Sequence, residues 1–453
     1  MTLLLTFYGD DFTGSTDAME GLTLNGVPTA LFLEAPTPEQ LTGRFANLRA
    51  LGVAGISRSL SVEDMEAELR PTFAALRALG APLTHYKVCS TFDSSPAVGS
   101  IGRAADIGAA VFETPVVPLM VGAPSLKRYV AFGNLFATVG ETTYRIDRHP
   151  TMSKHPVTPM HEADLRLHLG QQTDRPIGLI DMRQLSADDA AIRTQFQALA
   201  DDGAQIVLFD TLDDSHLPKI GAAIWSLPDQ KPVFVVGSSG VEYALTAYWH
   251  SAGLVEKPPL PAPAGHADQM IVISGSASPV SAEQIDWASA NGFEVIRLDS
   301  AALVDSACAD QTREAAIAGA LRVLDAGRSV VLYSAYGPDD PALATTRTKA
   351  QALRLNPANV GQRLGTQQGL LLRALLEQRP DIRRVCVAGG DTCSHAARQL
   401  DIFALEVLTP LAPGGPLCRA SAYTPRFDGL EIVLKGGQVG KADFYGVVLR
   451  GSA

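Results

Sequence analysis

Residues 3–22 read LLLTFYGDDFTGSTDAMEGL, and this stretch decides the fold. The run LLLTFY is typical of a buried strand, the next residues form a polar turn, and STDAMEGL continues with helical spacing. A buried strand that passes through a short polar loop into a helix is the repeating unit of a parallel α/β sheet. Because this unit recurs along the chain, we predict an α/β fold.

Further apolar runs predict more strands. These runs include PTALFL, PIGLIDM, QIVLFD, PVFVVG, MIVISG, FEVIRL, SVVLYS, RRVCVAGG and EIVLKGG. Between them, TREAAIAGALRVLDAG and GTQQGLLLRALLEQRP carry apolar residues at three- and four-residue spacing, which predicts helices.

A proline-rich segment divides the chain. KPPLPAPAG, residues 257–265, holds four prolines and one glycine, a composition that favours an extended connection. We therefore predict a first domain at 1–256, a linker at 257–266 and a second domain at 267–453, each with a mostly parallel sheet flanked by helices. We expect an active-site cleft between the two domains, because small-molecule sites prefer such places.

Composition narrows the classes of partner. The 453 residues include 48 acids and 37 lysines and arginines, a formal charge of −11, which disfavours a nucleic-acid binder. The five cysteines have neither zinc-site spacing nor a disulfide framework, and the first residues lack the features of a signal peptide or membrane span. We expect a cytoplasmic protein with a small-molecule partner and no membrane; a homo-oligomer stays open.

Four loops at predicted strand ends could carry chemistry, because ligands bind beyond the carboxyl ends of strands in open α/β sheets. In the first, Asp10 and Asp11 could bind substrate hydroxyls or supply a general base, or Asp11 or Ser15 could simply cap the helix. In the second, residues 273–279, small residues could let the backbone approach a phosphate, or Ser278 and Pro279 could be an ordinary helix start.

The third and fourth loops lie near the carboxyl terminus. Two glycines, Asp391 and hydroxyl groups in residues 387–395 suit a nucleotide with its magnesium. The loop at residues 434–441 lacks the spacing of a P-loop, and Ala442 stands where that motif needs Ser or Thr.

Two basic residues lie near polar loops of the first half. Arg58 could grip a carboxylate with its planar guanidinium, or either Arg58 or Lys87 could serve a structural ion pair. No HExxH or GxSxG motif and no nucleophilic triad pattern is present. A lyase that uses Lys87 as a Schiff base is a further alternative.

The order of these loops resembles the four-carbon acid sugar kinase family over nearly the whole chain. The resemblance rests on GDDFTG (9–14), Ser57-Arg58, Tyr86-Lys87, HPVTPM (155–160), Ser274-Gly275-Ser276, GGDT (389–392), PGGP (413–416) and LKGG (434–437). It implies an ATP-dependent kinase, with Mg²⁺, that phosphorylates a hydroxyl of a small sugar acid. A non-catalytic sugar-acid or nucleotide sensor on the same fold is the alternative from another class.

The resemblance also implies roles for residues. Asp10, Asp11 and Asp391 would be catalytic, and Asp391 would also manage the metal. The sugar acid would contact Arg58, Lys87, His155, Thr158 and Met160 in the first domain. The nucleotide would contact Ser276, Ser334, Gly389, Gly390, Asp391, Thr392, Gly436 and Gly437 in the second.

One segment departs from the family pattern. Many members have Asp-Ser-Thr and then Arg-Gly after the lysine of the third motif, whereas this chain has Cys89 in place of the aspartate and no Arg-Gly. The segment is similar to a subgroup that acts on branched or oxidised sugar acids. We therefore expect oxo- or branched acids, with 3-oxo-isoapionate as the specific alternative, and poor use of plain tetronates.

Overall fold

The computed structural model describes residues 2–155, 157–229 and 231–453, apart from the side chains of residues 357, 358 and 391. The chain separates into two compact units, Met1–Pro259 and Leu260–Ala453. Each unit is an α/β domain, and parallel pairs predominate among the strands, which confirms the predicted fold class.

The first domain contains all of the elements that precede residue 260. Its strands are β1 (Leu5–Gly9), β2 (Thr29–Phe32), β3 (Ala50–Ala54), β4 (Leu83–Lys87), β5 (Val117–Met120), β6 (Arg128–Ala131), β7 (Asn134–Val139), β8 (Thr142–Arg145), β9 (Ile177–Ile180), β10 (Ile206–Phe209) and β11 (Val233–Gly237). Its helices are α1 (Phe12–Leu24), α2 (Val62–Ala78), α3 (Ile101–Phe112), α4 (Leu165–Leu169), α5 (Asp189–Asp201), α6 (Leu217–Trp225) and α7 (Gly240–Ser251).

The strands of the first domain follow the order β2-β3-β1-β4-β11-β5-β10-β9, and their described pairings are all parallel. The chain winds outward in both directions from β1, which lies between β3 and β4. Strands β6, β7 and β8 form a separate antiparallel sheet that the sequence did not predict.

The second domain begins with β12. Its strands are β12 (Ile271–Ser274), β13 (Glu294–Arg297), β14 (Val330–Tyr333), β15 (Arg384–Ala388), β16 (Ile402–Thr409), β17 (Leu417–Ala422) and β18 (Glu431–Lys435). Its helices are α8 (Pro279–Ala290), α9 (Ser300–Leu303), α10 (Ala309–Asp325), α11 (Pro341–Ala352), α12 (Pro357–Gln378), α13 (Gly390–Gln399) and α14 (Phe444–Arg450).

The strand order of the second domain is β13-β14-β12-β15-β18-β17-β16, with antiparallel pairing only where β17 meets its two neighbours among the described pairs. Its first four strands repeat the arrangement of the first domain: the first strand lies between the third and the fourth. The winding direction changes beside this first strand, and such a switch point is where α/β proteins bind ligands.

An aromatic cluster fills the core of the first domain under β1 and β4. The ring of Phe73, on α2, lies 5.9 Å from Tyr8, 6.0 Å from Tyr86 and 5.0 Å from Phe234, measured between centroids. These rings are fully or almost fully buried. Tyr8 and Tyr86 precede the polar ends of their strands, so the core directly supports the loops described next.

None of the described helices combines the length and the apolar composition that crossing a bilayer requires.

Candidate active site

Arg58 joins the two acids of the first loop. Its Nε and Nη2 donate to the two carboxylate oxygens of Asp10, at 3.0 and 2.8 Å, and its Nη1 donates to Asp11 Oδ2 at 2.7 Å. The three residues follow β1 and β3, which are adjacent strands. Three of the five guanidinium N–H groups are thus directed at carboxylates, and one N–H on each terminal nitrogen remains for a ligand.

Asp11 also begins helix α1. Its Oδ1 accepts the backbone N–H of Gly14 at 2.7 Å, so Asp11 is the N-cap that the sequence offered as an alternative. A side chain at position 14 would place its Cβ 2.4 Å from Asp11 Oδ1 and 2.8 Å from Lys87 Nζ. Glycine is therefore required for the helix start to approach both charged groups.

Two tyrosines hold the loop that carries Arg58. The Tyr8 hydroxyl accepts the N–H of Ile56 at 3.2 Å, and the Tyr86 and Ser57 hydroxyls are 2.9 Å apart. Because both rings are buried in the aromatic core, the guanidinium is positioned by the body of the domain rather than by a free loop.

The two acids have different proton affinities. Burial, reinforced by the neighbouring Asp11 and opposed by Arg58, raises the pKa of Asp10 to about 6. The pKa of Asp11 is lowered, because Arg58, Lys87 and the Gly14 N–H together outweigh the effect of burial. Two acids whose pKa values differ in this way supply one group that can exchange a proton near neutral pH and one that stays charged.

Lys87 ends β4 with its side chain buried beside these acids. Burial lowers the pKa of Lys87, but Asp17, whose Oδ2 is 3.7 Å from Nζ, and Asp11 raise it further, so the net shift is upward. The amine is therefore a cation at neutral pH, whereas a Schiff-base lyase needs a neutral amine.

A second polar cluster follows β4. Thr91 Oγ1 lies 2.9 Å from the Cys89 sulfur and 2.5 Å from Asp93 Oδ1. Thr158 Oγ1 lies 3.3 Å from Asp93 Oδ2 and 2.9 Å from His155 Nδ1. The segment that lacks an aspartate at position 89 thus still contains a buried carboxylate, that of Asp93.

The residues of the proline-rich motif 155–160 differ in whether they reach the polar cluster around Asp93. Thr158 and His155 join the Asp93 cluster, whereas the Met160 side chain is fully buried and its N–H donates to Met152 O at 2.9 Å. Pro156 lies outside the described residues. Burial places Met160 in the core beneath the motif, and its substrate contact stays a prediction.

In the second domain, the three predicted loops follow β12, β15 and β18, and Ser334 follows the neighbouring strand β14. A Cβ at Gly437 would lie 2.2 Å from Ser276 Oγ, and a Cβ at Gly275 would lie 2.0 Å from Thr392 Oγ1. Gly389 has φ +117° and precedes helix α13, a conformation that favours glycine. The structure therefore brings the predicted nucleotide loops together.

The other predicted residues of this set lie at the same edge. The Ser334 N–H donates to Ser274 O at 2.9 Å, and Gly436 follows β18. Gly390 is the first residue of α13, and a Cβ there would meet nothing within 4 Å. The backbone of Asp391 belongs to α13, but its side chain lies outside the described part, so its metal role stays a prediction. Ser278 caps α8 by accepting the Val280 N–H, as the alternative for that loop proposed.

Two family models cover most of this chain. A sugar-binding N-terminal domain matches residues 5–245, and a nucleotide-binding C-terminal domain matches residues 271–445. The chain belongs to the four-carbon acid sugar kinase family.

The curated proteins to which this chain is similar include two kinds of sugar-acid kinase. The chain is 49% identical to a 3-oxo-isoapionate kinase of Paraburkholderia graminis, over 99% of this chain and 94% of that protein. It is 31% identical to a 3-oxo-tetronate kinase of Methylobacterium radiotolerans, over 99% of both chains. The predicted enzyme class is confirmed, and a kinase with a nucleotide-binding domain implies the use of ATP.

Solved structures show the same fold. A Salmonella typhimurium protein described as a putative tRNA synthase matches with a TM-score of 0.78 at 24% identity, over 99% of this chain and 98% of that one. A Haemophilus influenzae protein matches with a TM-score of 0.72 at 22% identity, over 98% of both. Because the sequence identities are only 24% and 22%, these two matches show that the fold is shared and nothing more.

Sequence reasoning missed one residue that organises the nucleotide loops of the kinase. Gln368, in helix α12, is fully buried; its Nε2 donates to Ser334 Oγ at 3.1 Å, and its Oε1 accepts from Thr392 Oγ1 at 3.3 Å. It thereby links the loops after β14 and β15. The available signal was its spacing: Gln368 lies three, four and seven residues before Leu371, Leu372 and Leu375, and so on the apolar face of the predicted helix.

Lys435 was also missed as a site residue. It ends β18 fully buried, its Nζ donates to Gly436 O at 3.1 Å, and burial lowers its pKa. No carboxylate pairs with it among the residues that the structure describes. Its position beside Gly436 and Gly437 places a buried amine at the edge of the nucleotide loops.

Proposed function

We propose that this kinase transfers the γ-phosphate of ATP to a hydroxyl of an oxidised, branched sugar acid, with 3-oxo-isoapionate as the first candidate. The observation that carries the proposal is the likeness to a 3-oxo-isoapionate kinase along almost the entire chain. The Cys89 segment supports it, because that segment already departs from the pattern of tetronate-type members.

Asp10 is the proposed general base. The Asp11 carboxylate accepts hydrogen bonds from the Thr13 hydroxyl, the Gly14 N–H and Arg58, and its lowered pKa makes it the weaker proton acceptor. Asp10, with its pKa raised to about 6, is charged at neutral pH yet close enough to neutrality to accept a proton efficiently. Arg58 would orient both acids and direct its remaining N–H groups toward the substrate.

The transfer itself requires little covalent chemistry from the protein. A bond forms between the substrate hydroxyl oxygen and the γ-phosphorus, the bond to the β-phosphate oxygen breaks, ADP leaves, and the hydroxyl proton passes to Asp10. Lys87, a buried cation beside Asp10 and Asp11, would balance the negative charge that collects there. His155 and Thr158 would contact the acid from the Asp93 side.

ATP is proposed to bind the loops after β12, β14, β15 and β18. Ser276, Gly389, Gly390, Thr392 and Gly437 provide close backbone approach, and the N–H groups at the start of α13 suit a phosphate. Ser334 and Gly436 border the same loops.

Mg²⁺ is proposed to arrive with the nucleotide. The described residues contain no cluster of three or more His, Cys, Asp or Glu side chains suited to a metal. This donor set fits a Mg²⁺ held mainly by phosphate oxygens and water, with Asp391 as the protein carboxylate of the loop. The metal would supply charge neutralisation on the transferred phosphoryl group.

A cytoplasmic location and a homo-oligomer stay predictions. None of the five cysteines forms a disulfide within the described part of the chain, which supports a reducing compartment for the first of these predictions.

The test is ADP release with MgATP and a panel of acids: 3-oxo-isoapionate, 3-oxo-tetronates and plain tetronates. We expect the highest kcat/KM with 3-oxo-isoapionate, little with plain tetronates, and no turnover after chelation of Mg²⁺. The highest kcat/KM with a plain tetronate would contradict the substrate assignment. The absence of ADP release with every acid would contradict the activity.

A further inference from the structure

The small antiparallel sheet of the first domain presents a cation on one face. In its register Arg128 on β6 pairs with Ala137 on β7, and Ala137 pairs with Tyr144 on β8. Residues directly opposite each other across antiparallel strands point to the same side. Arg128 and Tyr144 therefore flank the buried methyl group of Ala137.

His149 lies next to this face. Its ring centroid is 6.2 Å from that of Tyr144, in an edge-on arrangement, and the residue is only 4% exposed. Its Nδ1 accepts the N–H groups of Thr151 and Met152, at 3.2 and 3.1 Å. In the neutral ring the proton therefore belongs to Nε2. That Nε2 is buried and has no hydrogen-bond partner.

Arg128 also has an unused buried donor. Its Nη1 donates to the carbonyls of Leu126 and Lys127, at 3.0 and 3.2 Å, whereas its Nε is buried without a partner. Among the described residues no carboxylate forms an ion pair with Arg128. Arg128 as a whole is half-buried, but its Nε is a buried N–H without an acceptor. Since buried donors normally have a partner, this N–H is available to an oxygen atom of a ligand.

The two donors act on each other electrostatically. Burial, together with the positive charge of Arg128, lowers the pKa of His149, so the ring is neutral and offers one N–H. Arg128 Nε and His149 Nε2 are two buried N–H groups without an acceptor, and one of them belongs to a cation. Such a pair suits an oxygen-bearing anion, and a carboxylate has two oxygens for the two donors.

Cys89 connects this pair to the acid cluster. Cys89 lies near enough to Arg128, and to Arg58, which binds Asp10, that a negative charge at position 89 would act to raise the pKa of both guanidinium groups. Burial and Asp93 raise the pKa of the Cys89 thiol, so it is uncharged at neutral pH. An uncharged group at position 89 leaves Arg128 available, whereas a carboxylate there would neutralise it.

We propose that Arg128 and His149 bind the carboxylate of the sugar-acid substrate, and that the uncharged Cys89 keeps Arg128 free to do so. This inference rests on the proposed function and adds the residues that recognise the acid group. It also assigns a role to the thiol: three N–H groups of Arg58 bind Asp10 and Asp11, whereas no described carboxylate pairs with Arg128, and an uncharged side chain at position 89 preserves that difference.

The test compares Arg128→Gln and His149→Gln with wild type. Charge-assisted hydrogen bonds are worth enough that we expect KM and Kd for the acid to rise roughly 10- to 100-fold in Arg128→Gln, with KM for ATP little changed. An analogue with a hydroxymethyl group in place of the carboxylate distinguishes the loss of a carboxylate contact from general damage to the site. Wild type should bind this analogue weakly, and Arg128→Gln should bind it no more weakly than wild type does.

Arg145→Gln is the matched control. Arg145 lies on the same small sheet, but its guanidinium pairs with Asp147, so its loss should leave the Kd for the acid unchanged. Cys89→Asp is a second, independent variant, because it places a carboxylate beside Arg128 without removing any donor. We expect it to raise KM for the acid, whereas Cys89→Ser should not.

Calorimetric titration of the protein with the acid, in the absence of nucleotide, distinguishes a failure of the proposed subsite from a failure of the proposed kinase activity. An unchanged Kd for the acid in Arg128→Gln, or equal losses for the acid and its hydroxymethyl analogue, would overturn the subsite while leaving the kinase activity intact. Wild-type protein that binds the acid but releases no ADP would contradict the proposed function and not the subsite. If Arg128→Gln fails to fold, an unchanged KM or Kd in Cys89→Asp overturns the proposal.

Discussion

Asp10 and Asp11 are neighbours in sequence, yet their surroundings shift their pKa values in opposite directions. If Asp10 is the base, it must be unprotonated, so kcat/KM for the acid at saturating MgATP should fall as pH drops through about 6. Asp11→Asn removes a charge that raises the pKa of Asp10, so this limb should move to lower pH. The measurement is the pH profile of both proteins from about pH 5 to about pH 8.

The same shift affects stability. Because the pKa of Asp10 is raised in the folded state, this group stabilises the fold most below its unfolded pKa, and that contribution is lost as pH rises through about 6. The loss of activity at low pH therefore cannot be attributed to unfolding caused by this residue. A limb that stays in place in Asp11→Asn would show that another group controls the rate.

At the scale of residues, the sequence predicted the place of the first loop but not its partners. Apolar spacing located the end of β1 and therefore Asp10 and Asp11. It could not show that Arg58 would direct three N–H groups at them, because residues 47 and 48 positions apart meet only through sheet order. Gln368 was missed for the same reason: its partner Ser274 is 94 positions away.

At the scale of elements, the loop after β18 lies against the loop after β12. In Gly437→Ala the new Cβ would stand 2.2 Å from Ser276 Oγ and 3.0 Å from Ser278 Cβ, so the Ser276 hydroxyl must leave its position or one of the two loops must move. We expect a tenfold or larger rise in KM for ATP and little change in KM for the acid, since an error of about 1 Å in a positioned group is costly. Steady-state kinetics with each substrate varied in turn is the measurement.

Gly319→Ala is the comparison for that variant. It also adds a methyl group to the second domain, but inside α10, where the nearest side-chain atom is 3.6 Å away and alanine favours the helix. Equal effects of the two substitutions on KM for ATP would remove Gly437 from the nucleotide site.

The elements were predicted unevenly from sequence. Long apolar runs located most of the parallel strands of both domains, because such strands are buried on both faces. The parallel strands β3, β4 and β5 were not among the predicted runs. Strands β6, β7 and β8 were missed: β7 alternates half-buried and buried residues, and β8 has no buried residue, so neither gives an apolar run. That small sheet carries Arg128, which explains why the same reasoning overlooked it.

At the scale of the whole molecule, residues 256–260 are exposed and lack regular secondary structure. A protease site substituted for residues 259–263 should therefore allow cleavage of the native protein into two bodies that both stay folded. ATP should then raise the melting temperature of the second body and the sugar acid that of the first, because a ligand stabilises only the fold that binds it. Differential scanning calorimetry of the cleaved protein measures both.

Two results would contradict the assignment of the sugar acid to the first body and of ATP to the second. One is the unfolding of either body upon cleavage, and the other is stabilisation of the first body by ATP. Uncleaved protein that carries the same substitution is the control for the effect of the new residues.

The position of the boundary has a consequence during synthesis. Every strand and helix of the first domain is encoded before residue 260, and at least 194 residues (453 − 259) follow Pro259. At about 5–20 residues per second, the ribosome needs on the order of 10–40 s or more for these residues. The nascent chain thus has time to fold its first half cotranslationally, and we expect a message truncated in its second half to yield a protein that binds the acid without phosphorylating it.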